Sequence, residues 1–438
     1  MESVYSQRMY TSDYARDVWA ACLLFLTAIA NFIVFGLDHI RSWDDASEYS
    51  AYATNLISGR GYSMDGIAFS AWREPGYPFF LSLLYKIFGN ENLIAVCYIQ
   101  ALFLGLLAFA IYGVFVRFNE RKYGIAAGVC VAVLPFYGFY ANEILTELMF
   151  TFFLGVVFAV CVKILRGRSR SVTWYAILGI LCGVTSLIRF QFVLFLPFAA
   201  FLCLLFVRPL PERFVRNALI GILLSAAALA PWAAYVHTQT GKFAVSDGRQ
   251  EESLYSRGVR AQLSYRELTR YIHEWILRSV SGGTGGSEFL YTYDYKNLFK
   301  QYHEHTIDKA SAARIQTESI RAIITHPGQY LYSCIIEAVK LLYIDHDYSD
   351  STNRYMRAGL YLLIYTFFAF GCVMLLMRDG PLRLPGFVAL SIILYNILVL
   401  IPLIDVVPRL NTPFLMFFII IGVVGVELFT HARGRLGV

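Results

Sequence analysis

The chain has 438 residues, of which 57% are hydrophobic, 16% aromatic and only 16% charged, against roughly 25% charged in an average soluble protein. That is too little charge to coat two or three soluble domains, and too much aliphatic and aromatic surface for a disordered chain. The apolar surface must face lipid. A net charge of +6 is the modest excess that membrane proteins carry in cytoplasmic loops, and does not call for a nucleic-acid partner.

A spanning helix needs about 20 predominantly apolar residues. In chain order ten stretches meet or approach that length: 18–37, 92–116, 124–141, 144–165, 172–188, 190–207, 218–237, 356–377, 385–404 and 411–430. The fold class expected is an all-α polytopic membrane bundle. The first stretch contains Ala28-Ile29-Ala30, the kind of site where a signal peptide is cut, but its apolar run continues through Phe35, so a retained helix is expected.

Between the first two spans, region 38–91 holds an amphipathic stretch from Asp45 to Ser58 and an apolar piece, Gly76 to Phe88, too short to cross. Both are expected to lie along the interface. Asp44 or Asp45 opens the first piece, either as a helix cap or as a functional acid, with Tyr49, Ala53 and Leu56 following on nearly one face.

At the start of the fourth span, Glu143 and Glu147 are four residues apart, so a continuous helix would place both carboxylates on one face. One of them would then need a cationic neighbour or a proton, unless both serve as negative charge in a first helical turn. The fifth and sixth spans are short and meet at Ile188-Arg189-Phe190. The basic segments 163–170 and 208–216 lie on the same side only if both stretches cross.

Region 238–355 shows helical patterns at 262–279 and 307–324, a flexible glycine-rich tract at 281–287 and an interfacial segment at 329–344. The tract lacks the lysine and the strand-to-helix setting of a phosphate loop. His303-Glu304-His305 and Asp345-His346-Asp347 contain ligand residue types at a spacing that matches no established metal site. A divalent metal stays possible and no metal ligand is assigned. The eight cysteines, mostly inside apolar runs, read as small buried hydrophobes.

Orientation follows from Lys and Arg in the short connections. With the N-terminus inside, 16 basic residues fall in cytoplasmic segments and six in short external ones: Arg41, Arg60, Arg73, Lys86, Arg189 and Arg409. Both termini are therefore expected in the cytoplasm, with the chain in the inner membrane. The expected division is 1–237, a transmembrane catalytic module including external loop 38–91; 238–355, an external region; and 356–438, the last transmembrane helices. Arg73, Arg189 and Arg409 are candidates to hold a phosphate by paired hydrogen bonds, or are anchors that snorkel to water.

The motifs Asp45-x-x-x-Tyr49 … Gly59-x-Gly61-Tyr62, Arg73-Glu74-Pro75-Gly76-Tyr77-Pro78, Leu145-Thr146-Glu147-Leu148 and Pro408-Arg409-Leu410-Asn411 together resemble the polytopic GT-C glycosyltransferases. The resemblance is to the branch containing protein O-mannosyltransferases and the transferase that adds aminoarabinose to lipid A. It covers 1–240 well and the last spans loosely. It implies a donor of one sugar on a polyprenyl phosphate, a glycan, lipid or protein acceptor, and inversion at the anomeric carbon on the external face. Asp45 maps to the catalytic acid of the first loop and Glu147 to the second acid, with Glu143 beside it. Asp44, Tyr49, Tyr62, Glu74 and Tyr77 fall among the residues expected around the substrates. A glycan polymerase or ligase would instead put its essential arginines and histidine in the large loop. A lipid or solute transporter would bury charge at mid-bilayer, where these spans have almost none.

Overall fold

The computed structural model describes residues 2–36, 44–168, 170–246, 249–281, 309–342, 351–403 and 408–436, with no strand among them. Helix α1 (Glu2–Gly36) is followed by two short helices, α2 (Asp44–Ile57) and α3 (Gly76–Phe88). These coincide with the two pieces expected along the interface. Then come α4 (Leu93–Val116), α5 (Arg121–Ala132), α6 (Pro135–Ala141), α7 (Glu147–Arg166) and α8 (Val172–Ile188). After a 3-10 turn at Phe190–Phe192 follow α9 (Phe195–Phe206) and α10 (Phe214–Thr240).

The third expected span is a broken one: α5 and α6 meet at 54°. Pro135 has no N–H to give the preceding turn, and at the break the Ala132 and Leu134 carbonyls accept from Asn31 Nδ2 of α1, at 2.7 and 2.8 Å. The fourth span starts later than the sequence suggested. Gln100 Nε2 of α4 donates to the carbonyls of Ala141 and Glu143, at 3.1 and 2.8 Å, and residues 142–146 run as bends. Helix α7 begins at Glu147, so Glu143 and Glu147 do not share a helix face, which corrects the reading from their spacing.

The middle region forms α11 (Arg249–Gln262), α12 (Tyr265–Ser281), α13 (Lys309–Thr325) and α14 (Pro327–Leu342). Three of these match the expected patterns. Helix α11, rich in charge, was not expected. The glycine-rich tract beyond Ser281, the His303–His305 group and the Asp345–Asp347 group lie outside the described residues. Helix α15 (Ser351–Met377) and α16 (Arg383–Tyr395) follow, the latter continuing through a π-helical turn at Asn396–Leu400 to Leu403. A 3-10 segment, Pro408–Phe414, leads into α17 (Leu415–Leu436).

Among the described residues seven helices are long and apolar enough to cross a membrane, or eight with the bent α5–α6 pair counted as one span. Val172–Ile188 and Phe190–Phe206, the fifth and sixth expected spans, are apolar but shorter. The chain is a multi-pass helical membrane protein. Helix α4 packs against α1, α5 and α7, and α8 against α10 and α7. Gly179 and Gly221 let the α8 and α10 backbones touch, a close approach typical of helices packed in lipid. Among the cysteines, Cys22 and Cys130 are exposed on the bundle, not buried as expected.

Helices α11 and α14 are fastened to the end of α16: Arg257 donates to the Ile401 carbonyl, and the Tyr330 hydroxyl to that of Pro402 at 2.6 Å. Beneath them Lys340 lies 3.2 Å from Glu337 and 2.7 Å from the Tyr271 hydroxyl. This buried group of charges was not visible in the sequence.

Candidate active site

At one end of the bundle the starts of α2 and α7, the end of α8, the segment after α10 and the end of α16 surround a cavity of about 410 Å³. Asp45, Tyr49, Arg73, Glu74, Glu147 and Arg189 all line it. Six residues proposed from sequence, spread over more than a hundred positions, converge on one space.

Two ion-paired groups contribute to its polar lining. In the first, Arg73 Nε lies 2.5 Å from Glu48 Oε2, and its Nη2 pairs with Asp45 Oδ1. The guanidinium stands 5.0 Å over the Tyr49 ring, and the Tyr62 hydroxyl donates to the Arg73 carbonyl at 2.9 Å. Burial works against the charge on Arg73, yet Tyr49, Asp45 and Glu48 outweigh it and hold the group well above its usual value. The Asp45 side chain keeps 21% of its surface exposed, against 4% for Arg73, so the carboxylate is the part of this group that a ligand can reach.

In the second, Arg189 Nη2 lies 2.5 Å from Glu147 Oε1, and its Nε donates to the Thr146 hydroxyl at 2.7 Å. Arg189 terminates α8 in an extended conformation, φ −144° and ψ 110°, which turns its side chain back toward the start of α7. Gly76 brings the groups together: α3 begins directly against the Leu187 and Ile188 backbone, where a Cβ would lie 2.8 Å from main-chain atoms.

The other expected site residues lie elsewhere. Tyr62 stands behind the cavity in an aromatic cluster, stacked at 4.5 Å on Tyr52 and edge-on at 4.7 Å to Trp232. Burial pushes the Tyr52 hydroxyl up to about 12, so it stays protonated at neutral pH and pairs with Ser70 at 2.7 Å. Tyr77 is buried beneath Tyr49, with ring centroids 5.1 Å apart, and donates to Gln100 at 2.8 Å. Glu143 is buried and does not line the cavity. The side chains of Asp44 and Arg409 lie outside the described residues; Leu410, next to Arg409, lines the cavity.

Sequence reasoning missed Glu48, Thr146, Gln191, Ser246, Ser253 and Tyr395, of which all but Glu48 line the cavity. Glu48 lies one helical turn after Asp45, a spacing that could have flagged a shared partner. Among the described residues no group of three or more His, Cys, Asp or Glu could hold a metal ion. Asp45 and Glu48 rest on Arg73, and Glu147 on Arg189, so these acids are neutralised by guanidinium and do not fit a divalent cation.

Residues 73–235 match the family described as dolichyl-phosphate-mannose-protein mannosyltransferase. The fold resembles the archaeal oligosaccharyltransferase AglB of Archaeoglobus fulgidus, in a structure with an inhibitory peptide and a dolichol-phosphate. That likeness has a TM-score of 0.56 at 11% identity, covering 97% of this chain and 52% of that one. The A. fulgidus oligosaccharyltransferase tethered to an acceptor peptide matches at a TM-score of 0.54 and 13% identity, covering 96% and 50%. This chain thus spans about half the length of those structures. No curated protein sequence matches the chain. The family-matched segment carries Arg73, Glu74, Glu147 and Arg189 from the cavity wall.

Proposed function

We propose that the chain is an inverting glycosyltransferase that moves one sugar from a polyprenyl phosphate to an acceptor hydroxyl at the external face of the membrane. The observation that carries this reading is the pairing, in one cavity, of a partly exposed carboxylate, Asp45, with a buried guanidinium, Arg189. A glycosyl phosphate is already activated. What remains is to take a proton from the acceptor and to stabilise the charge left on the departing phosphate.

In this reading Asp45 accepts the acceptor's proton as the hydroxyl oxygen bonds to the anomeric carbon. The bond from that carbon to the phosphate oxygen breaks, and the polyprenyl phosphate leaves with its electron pair. Arg73 orients Asp45 and is occupied by carboxylates, so Arg189 is the better candidate for the phosphate. Glu147 sets the position of Arg189. No step passes through a metal. The dolichol-phosphate in the archaeal structure of like fold supports a polyprenyl phosphate donor here.

On this proposal residues 1–237 form the catalytic transmembrane module, 238–355 an external cover and 356–438 the closing helices, with both termini in the cytoplasm. The acceptor is a glycan, a lipid or a protein. The test is to incubate the purified protein in lipid nanodiscs with monosaccharides carried on polyprenyl phosphate, and to follow free polyprenyl phosphate together with the anomeric configuration of the product. Release with inversion is expected. Consumption of pyrophosphate-linked donors alone would overturn the reading.

A further inference from the structure

Two N–H donors at the end of α8 are buried with no hydrogen-bond partner and belong to residues that line the cavity: Nη1 of Arg189 and Nε2 of Gln191. Arg189 is only 9% exposed, and its other nitrogens are engaged by Thr146 and Glu147. On Arg73, Nε is committed to Glu48 and Nη2 to Asp45. Buried donors are nearly always paired. Two of them, one residue apart on one wall, fit a ligand that presents adjacent acceptor oxygens.

The local backbone holds them in place. The Phe192 amide bonds the Arg189 carbonyl at 3.1 Å, and the Tyr395 hydroxyl of α16 donates to the Gln191 carbonyl at 2.6 Å. The main chain of Gln191 is therefore pinned, while Nε2 of its side chain has no hydrogen-bond partner. Asp45 and Glu74 place carboxylates elsewhere on the wall, so an anionic ligand is favoured at the end of α8, beside Arg189 and Gln191.

We propose that Gln191 is a phosphate-binding residue: its amide N–H and Nη1 of Arg189 take two oxygens of the phosphate in the lipid-linked donor. This rests on the donor class proposed above. It also divides the labour between the two arginines, Arg73 holding the acid and Arg189 with Gln191 holding the phosphate. A short neutral polar side chain thus adds a directed hydrogen bond beside a charge already partly balanced by Glu147.

Binding of a polyprenyl monophosphate to the full-length protein in nanodiscs tests this, with the uncharged polyprenol and inorganic phosphate as separate arms. Gln191→Ala is expected to weaken binding of the lipid phosphate by about 10-fold, and Gln191→Glu by more, because it places a carboxylate against the phosphate. Neither should alter polyprenol binding. Unchanged affinity in both variants, with the wild type binding the lipid phosphate, would overturn the role of Gln191 alone. Inorganic phosphate bound with the same dependence on Gln191, without binding of the lipid, would overturn the assignment to the donor. A wild type that binds no polyprenyl phosphate would overturn the donor class, and this assignment with it.

Discussion

The Arg189 guanidinium lies 2.5 Å from the Glu147 carboxylate, and both residues are at least nine-tenths buried at the meeting of α7 and α8. Removing one partner of a buried pair leaves the other charge uncompensated, at a cost of about 3–5 kcal/mol. We predict that Arg189→Ala and Glu147→Ala each lower the unfolding temperature, and that the double variant recovers much of the loss, since no lone charge remains. Activity should stay absent in the double variant, because phosphate binding needs the cation itself. Additive destabilisation in the cycle would contradict the pairing.

Asp45 is an acid of the cavity wall with 21% of its side chain exposed. Asp45→Asn keeps the size and an oxygen for Arg73 while losing basicity. The expected outcome is a drop in transfer rate of roughly 10²–10⁴-fold, with detergent-solubilised yield and unfolding temperature close to wild type. Transfer at the wild-type rate would remove Asp45 as the base.

The extent to which this site could be read from sequence follows from what each residue costs at the membrane face. Charged groups there need a partner or a task, which is why Asp45, Arg73, Glu147 and Arg189 stood out, and all four line the cavity. Gln191 is neutral and nothing local marked it, while Thr146 stood within the Leu145–Leu148 motif without a role of its own. The error at Glu143 has a different origin. Four-residue spacing predicts a shared face only within one helix, and here Gln100, more than forty residues earlier, takes the carbonyls of Ala141 and Glu143. The reading of Arg73 as a phosphate ligand likewise could not foresee Asp45 and Glu48 folding onto it. Seven or eight of the ten expected spans are matched among the described residues by helices long and apolar enough to cross, whereas hydropathy did not reveal the break at Pro135 or the π-helical turn before Ile401.

Gly76 permits contact between the two halves of the site. A methyl group there would stand 2.8 Å from the Leu187 carbonyl and the Ile188 nitrogen, and backbone cannot swing aside as a side chain can. Gly76→Ala is expected to destabilise by about 1–3 kcal/mol and to reduce transfer by separating Arg73 from Arg189. Gly113→Ala, on α4 with open space around the added methyl, is the control and should be neutral or slightly stabilising. Equal behaviour of the two variants in thermal unfolding and activity would refute this role for Gly76.

Acid should loosen the loop that leads from Tyr62 toward Arg73. The Asp65 carboxylate accepts from the Ile67 and Ala68 amides at 2.8 and 3.0 Å and from the Ser63 hydroxyl at 2.8 Å. These bonds lower its pKa from 3.8 to about 2. Because the folded value lies below the unfolded one, the support is complete above about pH 4 and is lost as pH falls toward 2. Hydrogen exchange of 63–68, corrected for its intrinsic pH dependence, should hold steady down to about pH 4 and rise below it. In Asp65→Asn the loop should exchange faster throughout, with no such step.

Glu48 offers the sharpest separation of positioning from binding. It is absent from the cavity wall yet lies 2.5 Å from Arg73 Nε, so it reaches the reaction only through Arg73 and Asp45. With Glu48→Gln the charge holding one edge of the guanidinium is gone, and Arg73 is free to shift toward Asp45 and draw that carboxylate off its line to the acceptor. Because no substrate contact changes, kcat should fall by about 10-fold while KM for the lipid-linked donor stays near the wild-type value. Glu48→Asp, which restores the charge at shorter reach, should recover part of kcat. A variant of Arg189 should do the reverse in part, raising the donor KM as well as lowering kcat. If Glu48→Gln raised KM and left kcat intact, Glu48 would be acting on the substrate and its assignment to Arg73 would be wrong.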